Sequence, residues 1–252
     1  MKEEKVKIKN SIGKNISAVI NRPEKQTKKL AILCPGYLDS KDYDHLAFLA
    51  RDLVKKDFTV IRFDPTGTWE SEGSISEFSY TQNLKDIKSV KDYMMKEGNY
   101  NYILLGGHSM GGRMSLLYAP ADHDISAVLV IMSNYKKSIG KIEEKWMKEG
   151  IRIDIRNVPG NENKKIQYLT PLSFLHDSNK YNVLDRIKEL HIPILLIAGE
   201  KDVLCPPSFV KEIFDKANEP KKFFIIPNIG HDYRHYIDQI KMVNGVIIDN
   251  LK

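Results

Sequence analysis

An apolar stretch that breaks into glycines around one serine, Ile103-Leu104-Leu105-Gly106-Gly107-His108-Ser109-Met110-Gly111-Gly112, restricts this chain more than any other part of it. The run before the glycines has the continuous apolar character of a strand buried on both faces, and Arg113-Met114-Ser115-Leu116-Leu117-Tyr118-Ala119 continues as a helix. Gly107 and Gly111 lie two residues either side of Ser109. A sharp strand-to-helix turn needs that spacing if two backbones are to pass closely and push one hydroxyl outward. Ser109 is therefore the candidate nucleophile.

The rest of the chain reads as alternating strands and helices. Lys5 to Lys9 and Asn15 to Ile20 alternate apolar with polar residues around Ser11-Ile12-Gly13, which predicts an antiparallel pair. Leu30 to Cys34 is a buried strand stopping at Pro35-Gly36, and Phe58 to Phe63 is another. Between them the spacing of Leu46, Leu49, Ala50, Leu53 and Val54 makes one helical stripe, for which Ser40 or Asp42 would be the cap. Strand, helix, strand at this spacing means parallel pairing through a right-handed crossover. A helix is expected from about Tyr80 to Lys96. Buried strands are expected at Ile125 to Met132, Ile194 to Gly199 and Lys222 to Ile226, with a closing helix from Asp232 through Ile247.

Some sixty residues separate the strand at Ile125 from the one at Ile194, too many for a structureless loop. We expect an inserted subdomain over residues 134–182 within a single domain of residues 1–252. Ile142 to Lys148 reads as helix, and the strict alternation of Ile151-Arg152-Ile153-Asp154-Ile155, followed by Pro159-Gly160-Asn161 and Lys165 to Leu169, reads as a β-hairpin.

A serine hydroxyl needs a base to take its proton and a third group to orient that base. Asp202, in Gly199-Glu200-Lys201-Asp202, and His231, in Asn228-Ile229-Gly230-His231, both follow strand ends, where parallel sheets bind ligands. Glu200 is the alternative acid and His235 the alternative base. His108 reads as a packing residue of the turn. The order serine, aspartate, histidine belongs to one architecture in particular.

Five segments in order carry a resemblance across nearly the whole chain: Pro35-Gly36-Tyr37, Asp64 to Gly73, Gly107 to Gly111, Gly199 to Val203 and Gly230-His231. They resemble the α/β-hydrolases, specifically small esterases with an inserted lid of the cinnamoyl or feruloyl esterase and monoacylglycerol lipase-like groups. The resemblance implies an α/β fold with a mostly parallel eight-stranded sheet, helices on both faces, and a small lid of one helix and a β-hairpin. It implies Ser109 as nucleophile, His231 as base, Asp202 as orienting acid, and the backbone N–H groups of Tyr37 and Met110 as oxyanion hole. Two positions depart from the pattern. Cys34-Pro35 stand where the family often has His-Gly, and Trp69 replaces the second glycine of the Asp64 to Gly73 loop. Trp69 either walls the substrate pocket or packs as core.

The expected activity is that of a serine esterase (carboxylesterase) acting through an acyl-enzyme on a small-molecule ester with a medium or aryl acyl group. Trp146, Tyr168, Leu169, Leu172 and Phe174 offer an apolar surface for it, or else form the lid's own core. Thioesterase and amidase chemistry use the same groups, and a ligand-binding protein that keeps the scaffold without turnover is the reading from another class. Dehalogenase and epoxide hydrolase chemistry would place aspartate at Ser109. No cofactor or metal is required, and Cys34 and Cys205 read as free thiols. Although Lys and Arg number 39 against 33 Asp and Glu, the lysines are scattered among acids, which argues against nucleic-acid binding. Without a signal-like or membrane-spanning stretch the expected location is cytoplasmic, and a homodimer through the lid is compatible with the sequence.

Overall fold

A computed structural model describes residues 1–135 and 140–251. Eight strands form one sheet: β1 (Lys2–Lys9), β2 (Asn15–Arg22), β3 (Lys29–Cys34), β4 (Phe58–Phe63), β5 (Tyr102–His108), β6 (Ile125–Ile131), and two later ones, Ile194–Gly199 and Lys221–Ile226. These last are β9 and β10, because β7 (Ile151–Val158) and β8 (Asn161–Pro171) pair separately as a two-stranded hairpin. The order across the large sheet is β1-β2-β4-β3-β5-β6-β9-β10, with β2 antiparallel to both β1 and β4, and β4, β3, β5, β6, β9 and β10 parallel to one another.

The parallel strands read as continuous apolar runs because both faces are covered. Along β3, Leu30, Ile32 and Cys34 enter one core while Ala31 and Leu33 enter the other. β6 divides likewise, with Val128 and Val130 on one side and Ala127, Leu129 and Ile131 on the opposite. That is the two-residue period of a strand. One core is completed by α2 (Tyr80–Glu97), α3 (Met110–Tyr118) and α7 (Pro207–Lys216), the other by α1 (Asp44–Val54) and α8 (Ile237–Asn250).

Between β6 and β9 lie α4 (Lys141–Glu149), the β7–β8 hairpin, α5 (Leu172–Ser178) and α6 (Val183–Arg186). The hairpin turns at Pro159-Gly160, with Gly160 at φ +70°. Its facing is the reverse of what apolar alternation leads one to expect. Ile151, Ile153 and Ile155 are exposed at 41%, 61% and 58%, as is Leu169, whereas Asp154, Tyr168 and Thr170 of the other face are buried.

Two local expectations are corrected. α1 has Tyr43 at its N-cap with no side-chain cap. Ser40 and Asp42 are instead drawn into side-chain contacts: the Ser40 hydroxyl accepts from the Asp42 amide at 3.1 Å, and the Asp42 carboxylate takes Lys41 and Arg62. The closing helix begins at Ile237, after a 3₁₀ turn at Tyr233–His235. Among the described residues no helix is long and apolar enough to cross a membrane.

Candidate active site

Ser109 sits between β5 and α3 at φ +53°, ψ −118°, a conformation that side chains rarely adopt. The neighbouring glycines make it attainable. A Cβ on Gly107 or Gly111 would fall 2.1 or 2.0 Å from the Cys34 carbonyl oxygen, so the end of β3 and the turn touch backbone to backbone. This contact is where Cys34-Pro35 lie. Cys34 and Cys205 are free, buried thiols.

His231 follows β10 and Asp202 follows β9. His231 Nε2 lies 3.0 Å from Ser109 Oγ, and its Nδ1 lies 2.8 Å from Asp202 Oδ2. Asp202 Oδ1 accepts from the amides of Leu204 and Cys205 at 2.9 and 2.7 Å, which locks a carboxylate only 2% exposed. Burial opposes a charge on His231, but the hydrogen bonds to Asp202 and to the Cys205 thiol outweigh it and raise its pKa above the ordinary histidine value. The two alternatives are engaged elsewhere. Glu200 accepts from the Asn228 amide at 2.9 Å, and His235 is exposed in its 3₁₀ turn.

Tyr37 and Met110 both line the cavity in front of Ser109. Among the described residues, the backbone–backbone hydrogen bonds outside helices and strands include none donated by either amide. Tyr37 is clamped by the hairpin: its hydroxyl reaches Thr170 Oγ1 at 2.9 Å and Asp154 Oδ2 at 3.1 Å, and Arg156 donates to its carbonyl at 3.2 Å.

Beneath the serine lies a buried polar group that sequence reasoning missed. The His108 ring is 4.7 Å from that of His231 and 5.1 Å from that of His45. Asp39 Oδ2 stands 3.6 Å from His108 Nδ1 and 3.9 Å from His45 Nε2. Burial pushes both imidazoles below the ordinary histidine value. Burial opposes the charge of Asp39 too, yet Arg234, 3.4 Å from its Oδ1, and the two rings hold its carboxyl well below the usual range. The three donor atoms are close enough to share a cation, but the guanidinium already balances Asp39. The only trace in the sequence is Asp39 three residues past Pro35-Gly36, a signal that gains meaning once His45 and His108 face it.

The cavity has a volume of about 330 Å³. Trp146, Phe174, Leu175 and Ile142 supply its apolar wall, with the Trp146 and Phe174 rings stacked 5.8 Å apart. Trp69, Tyr168 and Leu172, expected as substrate contacts, are not among the lining residues. Trp69 packs edge-on to Tyr43 and Tyr168, donates Nε1–H to the Leu38 carbonyl at 3.1 Å, and its amide donates to the Tyr168 hydroxyl at 2.8 Å. Leu172 begins α5 and packs partly buried on the core. Four arginines that the sequence reading passed over, Arg113, Arg152, Arg156 and Arg234, also face the cavity.

Residues 25–153 match the model of the family described as serine aminopeptidase, S33, just over half of the chain. The chain spans about a quarter of the length of the first curated relative it matches, an uncharacterized protein of Mycobacterium tuberculosis: identity is 30% over 66 residues, 26% of this chain and 24% of that one. It is 25% identical to the mitochondrial palmitoyl-protein thioesterase ABHD10 of Rattus norvegicus, over 75% of this chain and 64% of the relative. Among solved structures it resembles Est1E from Butyrivibrio proteoclasticus with ferulic acid bound, at a TM-score of 0.77 and 20% identity, covering 97% of this chain and 96% of the other. The fold common to these structures and the match across the Ser109 turn lead to one assignment: the chain is an α/β-hydrolase and belongs to the serine aminopeptidase S33 family.

Proposed function

We propose that this protein is a serine esterase that works through an acyl-enzyme, with Ser109 as nucleophile, His231 as general base and acid, and Asp202 as the group that orients the imidazole. One observation carries the reading: hydroxyl, imidazole and carboxylate are in hydrogen-bond sequence at 3.0 and 2.8 Å. Ser109 Oγ attacks the carbonyl carbon while its proton passes to His231 Nε2. Asp202 accepts the Nδ1–H and stabilises the imidazolium. The carbonyl oxygen, now anionic, takes hydrogen bonds from the Tyr37 and Met110 amides, which are fixed donors worth on the order of 10²–10³ each in rate. Collapse expels the alcohol with the proton from His231. Water then enters, gives its proton to the same nitrogen, and releases the acid.

The apolar wall of Trp146, Phe174 and Leu175 suits a medium or aryl acyl group. Thioester cleavage is the second reading, supported by the likeness to the rat palmitoyl-protein thioesterase. A fluorophosphonate should label Ser109 stoichiometrically, and Ser109→Ala should abolish labelling and cut turnover by on the order of 10⁶. p-Nitrophenyl esters from acetate to octanoate, methyl ferulate and a palmitoyl thioester then rank the substrates. Failure of the folded protein to label would exclude the reading and leave a ligand-binding role on the same scaffold.

A further inference from the structure

Strand β7 of the hairpin turns its isoleucines to solvent and its arginines inward, and Ile166 of β8 packs partly buried on the inner face. On β7, Arg152, Asp154 and Arg156 share the inner face with Tyr168 and Thr170 of β8, while Ile151, Ile153 and Ile155 face out. A two-stranded sheet lying over a protein body ordinarily buries its apolar face, because that removes most nonpolar area from water. Here two guanidinium groups are held over a cavity instead, and the arrangement acquires a purpose if the cavity's occupant is charged.

The charge count agrees. Four arginines line the cavity against two aspartates, Asp39 and Asp232. Both aspartates are taken by Arg234, at 3.4 and 2.9 Å. Arg152 grips Asp154 through Nε and Nη2 at 3.1 and 2.8 Å, with its guanidinium 4.8 Å from the Tyr37 ring centre. Arg113 and Arg156 have no carboxylate within ion-pair distance among the described residues. Arg113 donates to the Asn134 carbonyl at 2.9 Å and to the Tyr80 hydroxyl at 2.6 Å, both neutral. Arg156 donates to the Tyr37 carbonyl, and its Nε is buried without a partner. Two half-buried cations bonded only to neutral oxygens leave a positive potential in a partly desolvated cleft, where one sign of charge is focused. Arg113 stands four residues beyond Ser109 on α3, and Arg156 holds the loop that carries the Tyr37 amide, so both are attached to the reacting centre.

We propose that the substrate carries a carboxylate, which pairs with Arg113 and Arg156 while Ser109 attacks its ester or thioester carbonyl. The planar, forked guanidinium suits a carboxylate through two parallel hydrogen bonds. This inference rests on the assignment of Ser109 as nucleophile, and its test separates the two.

The wild-type protein is assayed on two matched pairs: mono-p-nitrophenyl glutarate against p-nitrophenyl hexanoate, which places the charge on the acyl side, and 4-acetoxybenzoate against its methyl ester, which places it on the alcohol side. In at least one pair kcat/KM for the anion should exceed that of the neutral partner by about tenfold or more at low salt, and the gap should narrow as salt is added. In Arg113→Met and Arg156→Met that ratio should fall toward one, mainly through KM, and Arg113→Lys and Arg156→Lys should restore part of it. Neutral esters matching or exceeding the anions in both pairs, with fluorophosphonate labelling intact, would overturn the carboxylate and leave the nucleophile standing. If neither labelling nor turnover is seen, thermal unfolding with glutarate and with glutaramide decides the matter. A Tm rise with glutarate alone, lost in Arg113→Met or Arg156→Met, supports the anion site, and equal shifts or none reject it.

Discussion

The carbonyl oxygen of Cys34 occupies the space a side chain on Gly111 would need: a Cβ there would stand 2.0 Å from it. The end of β3 and the start of α3 are thus in backbone contact, and Tyr37, three residues past β3, and Met110, the first residue of α3, both line the cavity with Ser109. Gly111→Ala should force β3 and α3 apart. Both atoms that meet belong to backbone or to Cβ, so neither can swing away. We expect a loss of about 3 kcal/mol or more in urea unfolding, in the range of severe core overpacking, with loss of Ser109 labelling.

The pH dependence follows from His231. Its pKa is raised in the folded protein by Asp202 and Cys205 against the opposing effect of burial, and only the neutral ring can accept the serine proton. The acid limb of kcat/KM should therefore have its midpoint above ~6.5, the value of an unperturbed histidine. Asp202→Asn should move the midpoint down while lowering kcat, and a midpoint unmoved by that change would remove Asp202 from the role. For stability the sign runs the other way. A raised pKa favours the folded state fully below ~6.5, and that contribution is lost as pH climbs through the folded value.

Lys41 is a fully buried cation, bonded through Nζ to Asp64 at 2.9 Å, Asp42 at 3.0 Å and Glu70 at 2.7 Å. It ties the Asp64 to Gly73 loop to the segment after Tyr37. Lys41→Met leaves Asp64 buried and unpaired, so the unfolding free energy should drop by about 3–5 kcal/mol. Chemical denaturation measures this directly. A loss below 1 kcal/mol would mean that the ion pair is compensated elsewhere.

The Tyr37 hydroxyl joins the hairpin to the loop that carries its own amide. Tyr37→Phe removes its hydrogen bonds to Thr170 and Asp154. A local destabilisation of about 1 kcal/mol corresponds to roughly fivefold faster amide exchange in residues 151–171, with β3 through β6 unaffected. Exchange followed by mass spectrometry reads both regions in one experiment. Uniform acceleration across the chain would show a global effect instead.

Much of this architecture is written in local pattern. The strands at Phe58–Phe63 and Ile194–Gly199, the turn at Ser109, the hairpin and the helix after Gly140 all follow from runs, periods and glycine spacing within a few residues. The positions of Asp202 and His231 were legible for a related reason, since both lie past strand ends, and parallel strands bring those ends to one edge. The Trp69 position, the uncapped start of α1 and the Asp39–His45–His108 cluster were not, because each depends on partners tens of residues away.

The hairpin marks the boundary most clearly. Alternation of isoleucine with arginine and aspartate dictates two faces whatever surrounds them, because successive side chains on a strand point opposite ways. Which face turns inward is not a property of the strand. It is settled by what lies beneath, here Tyr37, whose hydroxyl meets Asp154 and Thr170 and whose carbonyl accepts from Arg156, and that neighbour is met only when the chain is folded.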